Sequence, residues 1–391
     1  MATPYFSVLS KSKKSRARTG VIHTSHGEIQ TPAFVSAATK ATIKSLTPSE
    51  ISQVGTQAGC VNTYHLVMHP GVELLQKAGG AHSWANLSLP LMSDSGGFQV
   101  FSLAQNKRRA SIRGEEETLL LKMSEDGVIF RSVYDGTVQT FTPETVMRFE
   151  QAIGADFIMA FDECVYYPST HEYAQKSTER THRWLERCVA EFQKIKEQNP
   201  ENYQHLYGII QGGTFEDLRI ASAKFVHDQP TDGVAIGGVS VGEPKEEMRK
   251  EVSWVAPYLP LDRPVHLLGV GHVDDIVDLV VHGIDTFDCV EPTRHARMGS
   301  IYQWKDMVLM LDKLESERIP YAIDINHLQH KNDQSPLDEN CTCEVCTNVS
   351  KSYLHHLFKQ KELLAYTYAT MHNLTLMNRL MAEIRRRIEE E

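Results

Sequence analysis

Eight times between residues 33 and 290 a short apolar run is followed by a stretch carrying helix-start signals, and this alternation constrains the fold more than any other feature. The runs are AFVSAA (33–38), AGCVNT (58–63), LPLMSD (89–94), ADFIMAFD (155–162), LYGIIQG (206–212), GVAIGGVS (233–240), PVHLLGVG (264–271) and DTFDCV (285–290). Near-continuous apolar strands of this length are those buried on both faces, as in a parallel sheet covered by helices. Between them, Thr47-Pro48-Ser49-Glu50 has the form of a capping box with proline at the first helical position, and Ser169-Thr170-His171-Glu172 that of a second. Thr214 with Asp217, and Pro244 ahead of Glu246 and Glu247, mark two more helix starts. Eight βα alternations over about 260 residues predict an α/β chain folded as a (β/α)8 TIM barrel rather than a doubly wound sheet.

Other segments depart from the repeat. Residues 20–30, GVIHTSHGEIQ, read as an exposed N-terminal hairpin turning at Ser25-His26-Gly27, and residues 127–141 as an inserted hairpin turning at Asp135-Gly136. After the eighth strand, residues 324–348 carry a cysteine cluster, and 349–391 read as two helices broken near His372-Asn373. The expectation is one catalytic domain over 1–391, with a metal-binding helical subdomain at 324–391. The segment between the third and fourth strands is too long for a simple crossover, and its 103–126 part has no assigned role.

Composition narrows the partners. No apolar run approaches the ~18 residues of a membrane span, and the N-terminal basic residues follow the apolar patch instead of preceding it, so a cytoplasmic protein is expected. A formal charge of −10 argues against non-specific coating of nucleic acid. It leaves room for local basic faces: Lys11, Lys13, Lys14, Arg16 and Arg18; Lys107, Arg108, Arg109 and Arg113; Arg294 with Arg297. Arg385 to Arg387, beside Glu389 to Glu391, read as a solvated helix face. Of seven cysteines, Cys60, Cys164, Cys188 and Cys289 are scattered, whereas Cys341, Cys343 and Cys346 are clustered. In a reducing compartment that cluster points to structural zinc, with a histidine as fourth ligand: His327, His330, His355, His356 or His372. Three sulfurs and one nitrogen leave no open coordination position for catalysis.

In a barrel, functional side chains collect where strands end. Six strand ends carry polar or glycine-rich residues: Asp94 in SDSGGFQ, Asp162 in AFDEC, Gln211 in IIQGG, Gly237-Gly238 in IGGVSVGE, Gly269 to Gly271 in LGVG, and Asp288 in DTFDCV. Each has a bland reading. Asp94 suits an Asx turn, Asp162-Glu163 a solvated pair, Gln211 backbone satisfaction, and Asp288 a buried ion pair with Arg294 or Arg297. Together they suit chemistry at an anomeric carbon, where one carboxylate attacks and another manages protons, with retention requiring a separation of ~5 Å. The remaining carboxylate and amide offer the acceptors and donors a purine edge needs.

The motifs TPAFV, NTYHL, DSGGFQVFSL, MAFDEC, GIIQGG, GGVSVGEP, LLGVG, GIDTFDCVEPTR and PLDENCTCEVC resemble those of the queuine tRNA-ribosyltransferases, or tRNA-guanine transglycosylases, of bacterial type. The resemblance runs over nearly the whole chain. It implies a TIM-barrel enzyme that exchanges the wobble guanine (position 34) of GUN-anticodon tRNAs (Asp, Asn, His, Tyr) for the 7-deazaguanine preQ1, through a covalent enzyme–tRNA intermediate in queuosine biosynthesis. It implies Asp288 as nucleophile and Asp94 as the proton-handling carboxylate. Asp94, Ser95, Gly96, Gly97, Phe98, Asp162, Gln211, Gly238, Val239 and Leu268 would bind the base, with Phe98 and Leu268 sandwiching it. Gly269, Val270, Gly271, His272, Asp275, Thr293, Arg294, His295, Ala296 and Arg297 would meet the tRNA. The zinc ligands would be Cys341, Cys343, Cys346 and His372, and the protein would be a homodimer. Departures from the family pattern are His272-Val273 where Lys-Pro is frequent, Met298 where asparagine is frequent, and the longer 103–126 segment; no PUA domain is expected. Val241 and Cys164 in the pocket wall would exclude the bulky queuine base, while the Val239 carbonyl and Glu243 would assist an aminomethyl cation. Two competing readings are a non-catalytic RNA-binding partner, which need not keep Asp94, Asp162 and Asp288 together, and a barrel glycosidase, for which aromatic sugar platforms are not evident.

Overall fold

The computed structural model describes residues 4–100, 120–312 and 319–391. Its eight parallel strands close into a barrel: β1 (Ala33–Ala37), β2 (Ala58–Asn62), β3 (Leu91–Asp94), β4 (Phe157–Met159), β5 (His205–Ile210), β6 (Gly233–Ile236), β7 (Val265–Leu267) and β8 (Thr286–Cys289). Pairing of Thr286 with Ala33 joins β8 to β1, and pairing of Phe157 with Met92 joins β3 to β4. All eight runs read from sequence correspond to the barrel strands, most of them shorter than the run. Because side chains alternate, strands β1 to β6 divide their apolar residues between two cores. Val35, Cys60, Met92, Met159, Tyr207 and Ile209 fill the barrel interior. Phe34, Val61, Leu91, Ile158, Ile210 and Phe287 pack outward against the helices.

The N-terminal segment is not an exposed hairpin. Phe6–Lys11, Arg18–Thr24 and Gly27–Thr31 form a three-stranded antiparallel sheet. Paired Ile22 and Ile29, both fully buried, join Phe6 in the barrel-interior cluster, so this sheet plugs the barrel floor. Arg18 leaves the proposed basic face for the same reason. It is buried, donates to Asp285 Oδ1 and Oδ2 at 2.9 and 2.6 Å, and reaches the carbonyls of Pro260, Leu261 and Arg263. The Asp–Arg pair expected as the bland alternative for Asp288 thus exists three residues earlier. At the sheet's tip His26 contacts Asp156 Oδ1 at 2.8 Å and stacks on His82 at 3.6 Å. These three side chains lie close enough to suggest a metal group, but parallel rings cannot both aim in-plane lone pairs at one ion, so they act as a fastener.

The inserted hairpin is present as Val128–Arg131 and Val138–Phe141, with a third strand, Leu120–Met123, beside it. Residues 107–113, the second basic cluster, lie outside the described residues. Helix starts follow the sequence only in part. Thr47 makes the predicted capping box with Glu50. At the second, Thr170 rather than Ser169 is the cap, which puts Tyr173 at the third helical position, and Glu172 pairs with Lys176 instead. The helix Glu216–Asp228 is preceded by Phe215 with no side-chain cap, and Asp217 turns to His171.

The largest correction lies at the C-terminus. One helix, Lys351–Gln360, ends at Lys361, and Leu363–Glu390 then runs unbroken for 28 residues. His372 and Asn373 lie within it because their side chains serve a neighbouring strand rather than their own backbone. His372 Nε2 donates to the Tyr302 carbonyl at 2.9 Å, and Asn373 Oδ1 accepts the Tyr302 N–H at 3.0 Å. On the same helix, Arg386 and Arg387 pair with acidic neighbours, but Arg385 donates to the carbonyls of Pro32 and Gln30, tying the helix to the barrel rather than to solvent. Among the described residues, no helix is long and apolar enough to cross a membrane.

Candidate active site

At the carboxyl ends of the strands a cavity of about 190 Å³ is lined by Asp94, Asp162, Asp288, Gln211, Gly238 and Leu268, among others. That is below the roughly 300–1,000 Å³ of drug-sized sites, and suits one heterocycle. Register builds it: β2–β3 pairing sets Asn62 directly beside Asp94. Asn62 Nδ2 donates to Asp94 Oδ2 at 2.5 Å, and the N–H groups of Thr63 and Gly96 donate to Oδ1, each at 3.1 Å. Burial pushes the Asp94 carboxyl up to about 7 against those donors, and the nearby charge of Asp288 adds to the rise. The Asx turn read from sequence is therefore real, and coexists with a place in the cavity.

Asp162, three residues beyond the end of β4, is buried and raised to about 6 by that burial. Ser95 Oγ donates to its Oδ1 at 2.8 Å and Gln211 Nε2 to its Oδ2 at 2.7 Å, so its two oxygens are oriented by residues from two other strand ends. Glu163 is also buried, with Arg180 and Tyr173 as partners, so Asp162-Glu163 is not a solvated pair. The glycines are sterically required. A Cβ on Gly97 would come within 2.6 Å of the Asp162 carbonyl, and one on Gly238, at φ +61°, within 2.2 Å of Gln211 Oε1. Behind this loop the fully buried Arg219 donates to the carbonyls of Gly237 and Gly238, both at 2.6 Å, and pairs with Glu251. With those carbonyls held outward, the peptide N–H groups of Gly238 and Val239 are turned the other way, where Gly238 and Val239 border the cavity.

Comparison with known proteins decides the family. Residues 12–391 match the family model described as Queuine tRNA-ribosyltransferase. Curated proteins named queuine tRNA-ribosyltransferase align along the whole length. That of Thermoanaerobacter pseudethanolicus is 42% identical over 391 residues, covering 100% of this chain and 95% of the relative. That of Desulforamulus reducens is 43% identical over 381 residues, covering 97% and 93%. The chain belongs to the queuine tRNA-ribosyltransferase family.

In this family member the other predicted residues fall into distinct groups. Phe98, half exposed, and Leu268 both border the cavity, as do Ser95, Gly96 and Gly269. Gly97 is buried behind them. Of the predicted tRNA contacts, Arg294 is exposed, Arg297 is half-buried with Nη1 on the Thr293 carbonyl at 2.7 Å, and His272 and His295 both lie near Glu291. Val270, Gly271, Thr293 and Ala296 are buried. Asp275 is buried as well and paired with Lys245 and Arg249. Val241 and Cys164 border the cavity. Glu243 does not: its carboxylate accepts the N–H groups of Ser240 and Val241.

The Cys cluster resolves the choice among histidines. Ligand atoms of Cys341, Cys343, Cys346 and His372 all lie within 4.8 Å of one another. His372 Nδ1 faces Cys346 Sγ at 3.2 Å and Cys343 Sγ at 3.8 Å, while Nε2 is engaged by the Tyr302 carbonyl. A second-nitrogen hydrogen bond of this kind is what orients a ligating imidazole. The set can hold a four-coordinate metal ion. His330 and His355 are buried elsewhere, the latter with Nδ1 on the Ile325 carbonyl.

Sequence reading missed Asn62, Cys60, Arg219 and His266. Asn62 ends β2 as Asp94 ends β3, so the strand-end rule could have found it. Arg219 sits in the first turn of its helix and His266 mid-strand, where neither spacing nor composition distinguishes a site residue.

Proposed function

We propose that the protein exchanges the wobble guanine of GUN-anticodon tRNAs for preQ1, through a covalent aspartyl–ribose intermediate. The observation that carries this reading is one purine-sized cavity holding three carboxylates and a glutamine in different environments. Asp162, with its oxygens held by Ser95 and Gln211, accepts from the guanine Watson–Crick edge. Gln211 and the Gly238 and Val239 N–H groups meet its carbonyl side, and Phe98 and Leu268 cover its faces. Asp288 attacks ribose C1′, a C1′–O bond forms, and the departing base takes the electron pair of the C1′–N9 bond. Asp94, raised by burial to about 7, supplies the proton. The incoming base then returns its N9 proton to Asp94 and attacks C1′, releasing the carboxylate.

Val241 and Cys164 narrow the wall where a cyclopentenediol would have to lie, and the Val239 carbonyl accepts from the smaller aminomethyl group. Glu243 contributes by bracing the Ser240–Val241 turn. The Cys341, Cys343, Cys346 and His372 set holds one structural zinc, whose charge is satisfied within the set. The same reading includes a cytoplasmic homodimer.

The test is the adduct itself. Wild-type protein with unmodified tRNA and no incoming base should form a covalent product that survives denaturing gels. Asp288→Asn should abolish it with tRNA binding largely intact; undiminished adduct from the mutant would overturn the reading.

A further inference from the structure

We infer that His266 is a positioning residue that locks one oxygen of Asp288 so that the other, Oδ2, meets the substrate; the inference rests on Asp288 being the nucleophile. An imidazole in the middle of the apolar run PVHLLGVG is costly to bury without partners. β7 and β8 pair His266 with Thr286, and alternation then places Asp288 on the same face one step along the strand. The His266 side chain is fully buried, with Nδ1 2.8 Å from Thr286 Oγ1 and Nε2 3.1 Å from Asp288 Oδ1.

The partners dictate the protons. An ionised carboxylate only accepts, so Nε2 carries hydrogen, and in the neutral ring Nδ1 must accept from the Thr286 hydroxyl. The resulting relay, Thr286 O–H to Nδ1 and Nε2–H to Asp288, holds a single tautomer. The Gly269 N–H donates to the same Oδ1 at 3.0 Å. Oδ1 thus has two fixed donors, while among the described residues no hydrogen bond to Oδ2 is made, and the side chain is 16% exposed at the cavity.

Two consequences follow for the exchange. The carboxylate cannot rotate its other oxygen out of the attacking position without breaking two bonds. When Oδ2 bonds to C1′, Oδ1 becomes the ester carbonyl, and when the incoming base attacks, charge returns to the carboxylate under the same two donors. The imidazole touches neither base nor ribose, and acts through Asp288.

The test compares His266→Phe, which keeps ring bulk without a donor, His266→Gln, which keeps an N–H donor, and Thr286→Val, which removes the hydroxyl that holds the tautomer. The readouts are single-turnover adduct formation, KM for tRNA and guanine affinity by calorimetry. Loss of one oriented donor is expected to slow the adduct step of His266→Phe by about 10²-fold, with KM and guanine affinity unchanged. His266→Gln should recover most of that loss, and Thr286→Val should lose several-fold in rate alone. Wild-type rates in His266→Phe, equal losses in His266→Phe and His266→Gln, or guanine affinity falling in step with rate would each overturn the inference. If His266→Phe fails to fold, Thr286→Val decides: a slowed adduct step at unchanged guanine affinity supports the relay, and an unchanged rate refutes it. Asp288→Asn separates the two levels. Persistent adduct in that variant removes the underlying assignment, whereas its loss alongside wild-type rates in the other variants removes only the role of His266.

Discussion

The cavity at the barrel mouth and the Cys341–Cys346/His372 group both gather ionisable side chains into buried surroundings, yet they are built to opposite ends. In the cavity, Asp94, Asp162 and Asp288 arrive from three strand ends, and each is held from behind by Asn62, Ser95 or His266. Their remaining faces border open space. In the cysteine group the four ligand atoms face one another within 4.8 Å, and the second nitrogen of His372 is taken by the Tyr302 carbonyl. Burial alone therefore does not distinguish a reactive site from a structural one. What does is whether the ligand set is left open on one side or closed upon itself.

The sharpest way to test the open site is through Asp94. Removing a proton-transferring group typically costs ~10²–10⁴-fold in rate, so Asp94→Asn should slow adduct formation by that order while the metal group stays intact. Because burial raises Asp94 to about 7, its protonated form dominates below that pH. Adduct formation by the wild type should fall as pH rises through about 7, and the variant should lose that dependence. A flat wild-type profile would place the proton elsewhere.

The closed site should answer differently. Cys343 also caps the short helix Glu344–Asn348 through its sulfur. Cys343→Ala, or chelation, should release about one metal ion per chain and destabilise the protein by about 4–5 kcal/mol, a fall of ~5 °C in Tm for a chain this long. Guanine binding should outlast tRNA binding as metal is stripped, followed by calorimetry and metal analysis in parallel. Fully folded, active protein without metal would break the contrast.

The smallest effect concerns the shape of the open wall. Relieving overpacking in a rigid site is worth ~1–3 kcal/mol. Val241→Gly, with or without Cys164→Val, should admit queuine as an inhibitor of guanine exchange while preQ1 inhibition is retained. Equal inhibition of the wild type by both bases would refute the steric account.

Much of this was legible in one dimension. Eight apolar runs were enough to predict the barrel, because strands buried on both faces have no alternative to being apolar throughout. Asp94, Asp162, Gln211 and Asp288 were visible because strand ends are where a barrel places chemistry. The cysteine spacing announced a metal group, although only the family resemblance chose His372 from five histidines.

The rest depended on partners far apart in sequence. Ile22 and Ile29 look like one face of a free hairpin until they meet the barrel floor. His372 and Asn373 look like a helix break until Tyr302 accepts and donates to them. Glu243 looks like a free anion until the Ser240 and Val241 amides close on it. Periodicity and end signals are local, so the sequence determined which segments would be strands and which polar groups would crowd their ends. The orientation of those groups depends on hydrogen bonds spanning tens to hundreds of residues, such as His266 to Asp288 and Arg219 to Gly238, and strand register and helix docking alone decide those.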